Sequence, residues 1–268
     1  MMERLIVCDI DNTLLPAGGQ ISEATLSVLR DLPSGTGFSI ATGRSFHVVR
    51  KFVEELSLRL PVITSNGAQV YDYQNETSIY ESCLSPKVSR KLISRLLSED
   101  YDFVAYADVG IYFREESEHL AFFQNYNDSV RPGLRAPMVP LHEQDLSTLS
   151  DRITKVLVYS PKKALTDSLR KVPELEITAS MSHVIDIMAS GSTKGNAVRA
   201  LAAHLEVDIS SVYCFGDNEN DISMFTCGAV GIAMGNASDD LKEKADLVTD
   251  PIDRDGLYKG FEMLGLVG

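Results

Sequence analysis

No apolar stretch of this sequence approaches the length of a membrane span, which excludes a helical integral membrane protein. Positive charge is scarce. Lys and Arg number 25 against 38 Asp and Glu, and the formal net charge of −13 disfavours nonspecific binding to nucleic acid or to an anionic membrane. Cysteine is limited to Cys8, Cys83, Cys214 and Cys227, whose spacing suits no metal site. They are expected to act as small apolar residues with free thiols, Cys8 and Cys214 inside core strands. No secretory leader is expected either, since Glu3 and Arg4 precede an apolar run too short for one. The expectation is a cytoplasmic protein whose thiols stay reduced. Internal repeats and low-complexity tracts are absent too.

What is present is an ordinary globular composition over 268 residues, enough to bury one full core or two modest ones. The most informative stretch lies near the start. Leu5 to Cys8 is short and wholly apolar, as a strand of a parallel sheet covered on both faces should be. Asp9 and Asp11 follow where that strand runs out, in the string Asp9-Ile10-Asp11-Asn12-Thr13. Ligands of open α/β sheets bind just outside the carboxyl ends of strands. Two carboxylates so close repel each other unless a cation or a shared proton compensates. The string therefore points to a metal and to two carboxylates with different tasks. An acidic loop with Thr13 capping a turn is the plainer reading, and the position directly after a buried strand weighs against it.

Strands and helices alternate over the first eighty residues. Strands are expected at Leu5–Cys8, Gly37–Ala41 and Pro61–Thr64, with helices at Ser22–Leu32 (Ser22 as N-cap) and Ser45–Leu56. Such alternation predicts right-handed crossovers and a parallel sheet. Hairpins are then expected at 69–81 and 102–114, and helices at Pro86–Leu97, Glu116–Asn127 and Lys162–Val172. The stretch holding Pro132, Pro137 and Pro140 reads as a loop, and three further strands fall at Thr154–Tyr159, Glu174–Thr178 and His183–Met188. The first style returns from Thr193 onward. The expected architecture is an α/β core made from residues 1–82 and 188–268, with an α+β domain inserted over 83–187.

Three more segments carry chemistry. Thr42-Gly43-Arg44 follows the second strand, where a hydroxyl and backbone amides at a helix start make an anion site, although an ordinary helix cap would look the same. Lys194 stands at a helix start, an unfavourable place for a cation unless an anion or a carboxylate cluster faces it; a solvated surface lysine is the alternative. Gly216-Asp217-Asn218-Glu219-Asn220-Asp221 follows the fourth core strand and reads as a loop for a hard cation.

Together these segments resemble the haloacid dehalogenase superfamily of phosphatases, in its Cof-like subfamily (type IIB, with a large α/β cap of the C2B type). Asp9 to Thr13, Thr42 to Arg44, Lys194-Gly195 and Gly216 to Asp221 match its four motifs in order and spacing, and Ser65-Asn66-Gly67-Ala68 is a further stretch typical of the subfamily. Asn12 stands where Gly is commoner, and Asn also tolerates positive φ. The resemblance implies an aspartyl-phosphate mechanism with Asp9 as nucleophile, Asp11 as general acid and base, and Lys194 as electrostatic stabiliser. It implies Mg²⁺ held by Asp9, the Asp11 carbonyl and Asp217, with Asp221 in support. Thr42, Gly43 and Asn220 would hold phosphate, and Asp186 in the cap would meet a substrate hydroxyl, unless it is a polar residue on a solvated sheet face. The implied partner is a small phosphorylated metabolite such as a sugar phosphate, with no nucleic acid or membrane partner, in a monomer or small homo-oligomer. A phosphomutase of the phosphomannomutase type is the alternative. It would need inward arginines from among Arg90, Arg95, Arg114, Arg131, Arg135, Arg152 and Arg170. A noncatalytic sensor would be expected to lose Asp9 or Asp11, and both are present.

Overall fold

The computed structural model describes residues 2–114, 117, 120–181 and 183–267. In chain order its elements begin with β1 (Arg4–Cys8), α1 (Glu23–Arg30), β2 (Thr36–Ile40), α2 (Phe46–Glu55), β3 (Val62–Thr64), β4 (Gln69–Asp72) and β5 (Thr77–Glu81). There follow α3 (Pro86–Ser98), β6 (Phe103–Ala107), β7 (Gly110–Phe113), α4 (Leu120–Ser129), β8 (Met138–Pro140), β9 (Ile153–Tyr159), α5 (Lys163–Leu169), β10 (Leu175–Met181) and β11 (Val184–Ala189). The chain closes with α6 (Lys194–His204), β12 (Val212–Gly216), α7 (Ile222–Phe225), β13 (Val230–Ala233), α8 (Asp239–Lys242), β14 (Leu247–Val248) and α9 (Gly256–Met263).

Two compact units divide these elements. One holds Met1–Gly43, Phe52–Tyr80 and Thr193–Gly268; the other holds Arg44–Lys51 and Glu81–Ser192. The first is built on a five-stranded parallel sheet in the order β14-β13-β12-β1-β2. Its centre forms because β1 can be buried on both faces: Leu5, Ile6, Val7 and Cys8 have no exposed surface. Helices connect the parallel strands, and the Ser22 hydroxyl caps α1 by accepting from the Thr25 amide at 3.2 Å. A parallel bridge between Ala41 and Ile63 carries the sheet on to β3, which pairs antiparallel with β4 in a small three-stranded sheet.

The second unit has its own six-stranded sheet, ordered β10-β11-β9-β6-β7-β8. Its pairs are antiparallel except the last, where β8 runs parallel to β7. Here the structure corrects the sequence reading. The proline-rich stretch is not all loop, because Met138–Pro140 forms an edge strand; at an edge the missing N–H of Pro140 breaks no interior ladder. The helix expected over 116–127 is described over Leu120–Ser129, and 116, 118 and 119 lie outside the described residues. Leu92, Ile93 and Leu96 of α3 and Leu165 and Leu169 of α5 share a buried cluster with Phe103, Val156, Val158 and Ile187 of the sheet.

The unit also buries an ion pair. Lys155 on β9 and Asp186 on β11 are 1% and 0% exposed, and Lys155 Nζ lies 2.9 Å from Asp186 Oδ2. The same ammonium stands 5.7 Å from the centre of the Tyr106 ring. Breaking such a pair strands one charge in a poorly solvating interior, whereas replacing both partners removes the penalty. Lys155→Met is therefore expected to lower stability by about 3–5 kcal/mol in urea unfolding, and Lys155→Met with Asp186→Leu to recover much of that loss.

Candidate active site

β1 and β12 are neighbours, but the chain leaves them in opposite directions, from β1 toward β2 and from β12 toward β13. The crevice outside such a switch point is where open α/β sheets take ligands. Asp9 follows β1, its amide donating to the Phe215 carbonyl at 3.0 Å, and Asp217 follows β12. The two strand ends thus bring carboxylates from opposite ends of the sequence together.

Lys194 completes the centre. Thr193 caps α6 by accepting from the Asn196 amide at 3.2 Å, and Lys194 is the next residue. Its ammonium is fully buried and donates to Asp9 Oδ1 and to Asp221 Oδ1, each at 2.6 Å. The surface-lysine alternative is therefore overturned: a carboxylate pair compensates the cation at this helix start. Asp221 is fully buried too, and its other oxygen accepts the amides of Asp217 (2.9 Å) and Asn218 (3.1 Å). Gly216 makes room for this arrangement, since a Cβ there would overlap the Asp221 side chain.

One carboxylate oxygen each from Asp9, Asp217 and Asp221 lie within 4.8 Å of one another. Like charges at that separation repel by ~3 kcal/mol at an effective dielectric of about 20. Burial pushes the Asp9 carboxyl up to about 8; Lys194 opposes the shift and Asp221 adds to it. Burial likewise raises Asp217 to about 7, helped by Asp221 and opposed by the Thr13 hydroxyl, which donates to Asp217 Oδ1 at 3.1 Å. Burial alone would lower the Lys194 ammonium, but Asp221 and Asp9 outweigh it and hold the group charged. One lysine facing three carboxylates leaves the cluster short of positive charge. Oxygen donors and a charge deficit fit a hard divalent cation.

The other motif residues lie on the loops after β1, β2 and β12 or in the second unit. Asp11 is exposed, and Asn12 beside it has φ 60, which accounts for Asn in a position that otherwise favours Gly. Thr42 is fully buried, its amide donating to the Ile63 carbonyl at 2.9 Å. Helix α2 starts at Phe46, not directly after Gly43, so the Thr42-Gly43 segment is a loop preceding a helix by a few residues. Asn220 is half-buried and donates through Nδ2 to Asn66 Oδ1 at 3.0 Å. Asp186 belongs to the second unit, where it is fully buried against Lys155; it does not lie on a solvated sheet face. Sequence reasoning gave no role to Thr13 beyond a turn cap and none to Asn66. Besides lying in the Ser65-Asn66-Gly67-Ala68 stretch that resembles the subfamily, Asn66 was signalled by an Asn-Gly pair directly after a buried strand, which marks a turn with positive φ.

This fold and cluster agree with the comparisons to known proteins. A model of haloacid dehalogenase-like hydrolases matches residues 6–261, and the chain belongs to that family. It is a hydrolase of the phosphatase type, as its named relatives are. A 5-amino-6-(5-phospho-D-ribitylamino)uracil phosphatase of Bacillus subtilis is 28% identical over 269 residues, covering 95% of each chain. A pyridoxal phosphate phosphatase of Escherichia coli is 27% identical, covering 92% of this chain and 93% of that one. Among solved structures, a sugar phosphatase of subclass IIB superposes with a TM-score of 0.83 at 24% identity, over 98% of this chain and all of that one. The parallel core and separate antiparallel-sheet unit are the architecture of that subclass.

Proposed function

We propose that this chain is a Mg²⁺-dependent phosphatase of small phosphorylated metabolites, working through an aspartyl-phosphate. The observation that carries the reading is the buried Lys194 ammonium bridging Asp9 and Asp221 beside Asp217 at the switch point of the sheet. Asp9 attacks phosphorus in line; a P–O bond to Asp9 forms as the ester P–O bond breaks. Asp11 gives its proton to the departing alkoxide and then takes one from the water that hydrolyses the acyl phosphate, so Asp9 and inorganic phosphate are released. Lys194 offsets charge on the nucleophile and on the transferring phosphoryl group. Thr42, the Gly43 amide and Asn220 hold phosphate oxygens, and Asp221 fixes Lys194 and the loop that carries Asp217. The carboxylates of Asp9 and Asp217 and the Asp11 carbonyl would hold Mg²⁺, which would neutralise charge on the phosphate dianion when bound.

The inserted unit, over about 83–187, acts in this reading as the cap that excludes water and selects the leaving group. Relatives named for pyridoxal phosphate and for a phosphoribityl uracil support a small phosphomonoester as substrate, with sugar phosphates in the same class. Contact between Asp186 and a substrate hydroxyl would require its carboxylate to be shared with Lys155. A mutase needs arginines for a second phosphate. Of the candidates, Arg90, Arg95, Arg114 and Arg152 are ion-paired with Asp151, Glu99, Asp100 and Glu81. The proposed site of action is the cytoplasm; among the described residues no helix is long and apolar enough to cross a membrane.

Chelation should abolish turnover and added Mg²⁺ should restore it. Asp217→Asn removes one anionic donor and should raise the half-saturating Mg²⁺ concentration by about tenfold or more. Undiminished phosphate release in excess chelator would refute the metal assignment.

A further inference from the structure

The Ser65-Asn66-Gly67 turn has no part in the reaction described above, yet it touches three of the four segments that build the site. The turn follows β3, and three successive residues are left-handed: Ser65 at φ 52, Asn66 at φ 56 and Gly67 at φ 92. Ser65 and Asn66 are 1% and 2% exposed. Two buried non-glycine residues in that region are strained, and such strain persists only where the surroundings over-determine it. The Asn66 amide donates to the Thr42 carbonyl at 3.0 Å. Asn66 Oδ1 accepts from Asn220 Nδ2 at 3.0 Å, across 154 residues of chain. Gly67 packs under the start of α6, where a Cβ would overlap the Thr193 carbonyl and crowd the Lys194 amide.

An asparagine in the left-handed region often serves only its own turn, through a bond to nearby backbone. Here the side-chain oxygen reaches a different loop. Asn220 sits on the short turn after Asp217 and is half-buried, so several side-chain rotamers are open to it unless one is held. The bond to Asn66 uses one hydrogen of Nδ2 and fixes the plane of the carboxamide. The second hydrogen of the same nitrogen is the donor that phosphate binding requires.

We propose that Asn66 is a positioning residue: it holds Thr42 by its amide and Asn220 by its side chain, and so presets the two phosphate-binding arms. This rests on the reading of Asn220 as a phosphate ligand given above. Preorganised donors contribute more to binding than donors that must be ordered on contact.

The test is a double-mutant cycle in the full-length protein with Mg²⁺ present. Asn66→Gly keeps the left-handed backbone and the amide bond to Thr42 while deleting the side chain. Its KM for para-nitrophenyl phosphate and its inhibition constant for inorganic phosphate should rise about five- to tenfold, the range expected for one lost hydrogen bond, with a smaller change in kcat and an unshifted thermal melt. Asn220→Ala should show at least that increase. Asn66→Gly with Asn220→Ala should be no worse than Asn220→Ala alone, because the first residue acts through the second. A wild-type KM in Asn66→Gly beside an impaired Asn220→Ala would overturn the proposal and leave the phosphate reading standing. Full additivity in the double variant would also overturn it. Wild-type behaviour of Asn220→Ala would remove the phosphate reading of Asn220, and the positioning role with it.

Discussion

Asp9→Asn is expected to abolish phosphate release, by at least about ten-thousandfold, while the protein stays folded. The amide matches the carboxylate in shape but has no anionic oxygen to attack phosphorus, and losing a nucleophile removes nearly all of the rate that its partners can supply. The fold should survive for a reason visible in the site. Lys194 keeps Asp221 as a partner at 2.6 Å, and the substitution removes a charge that burial already disfavours at Asp9. The thermal midpoint should therefore move by no more than about 4 °C. Near-normal turnover in this variant would exclude Asp9 as the nucleophile.

Asp11→Asn should separate two tasks. Its main-chain carbonyl is untouched, so the Mg²⁺ dependence should change little. Its side chain can no longer give a proton to a leaving alkoxide, and help of that kind is typically worth about a hundred- to ten-thousandfold. An aryl phosphate has a leaving group stable without a proton, so formation of its phosphoenzyme should suffer much less than that of a sugar phosphate. The measurement is kcat/KM for both substrates in wild type and variant. Equal fold-losses would make Asp11 a structural residue or a metal ligand.

The core and the acidic cluster at its sheet edge were legible because their signals are local. Leu5 to Cys8 reads as a doubly covered strand, and it has no exposed surface. Ser22 stood before an amphipathic stretch and caps its helix. A polar loop directly after a buried strand, found at Asp9 and again at Asp217, indicates one sheet edge on topological grounds. What escaped depends on long-range partners. Lys155 sat inside a mostly apolar strand, and nothing nearby announced that Asp186, two strands away in the chain order but adjacent in the sheet, would neutralise it. Residues 44–51 group with the second unit although they follow Thr42-Gly43, because Val48 packs with Val104, Ile111 and Phe123. Helical periodicity gives the apolar stripe of α2 but not what lies against it. Met138–Pro140 became a strand because β7 offered an edge, which outweighed the loop signal of three prolines. The side-chain link from Asn66 to Asn220 was invisible for the same reason, although the turn itself was signalled by its Asn-Gly pair.

The account's central claim is that the phosphoryl group passes through Asp9. Rapid mixing of wild-type protein with a ³²P-labelled sugar phosphate or with labelled para-nitrophenyl phosphate, in Mg²⁺, followed by acid quench and peptide mapping, tests it most directly. The expected result is an acid-stable, hydroxylamine-labile label on the peptide carrying Asp9, formed and discharged at rates that match turnover, and missing from Asp9→Asn. Turnover at the full rate with no label on the protein, or with the label on a residue other than Asp9, would contradict it.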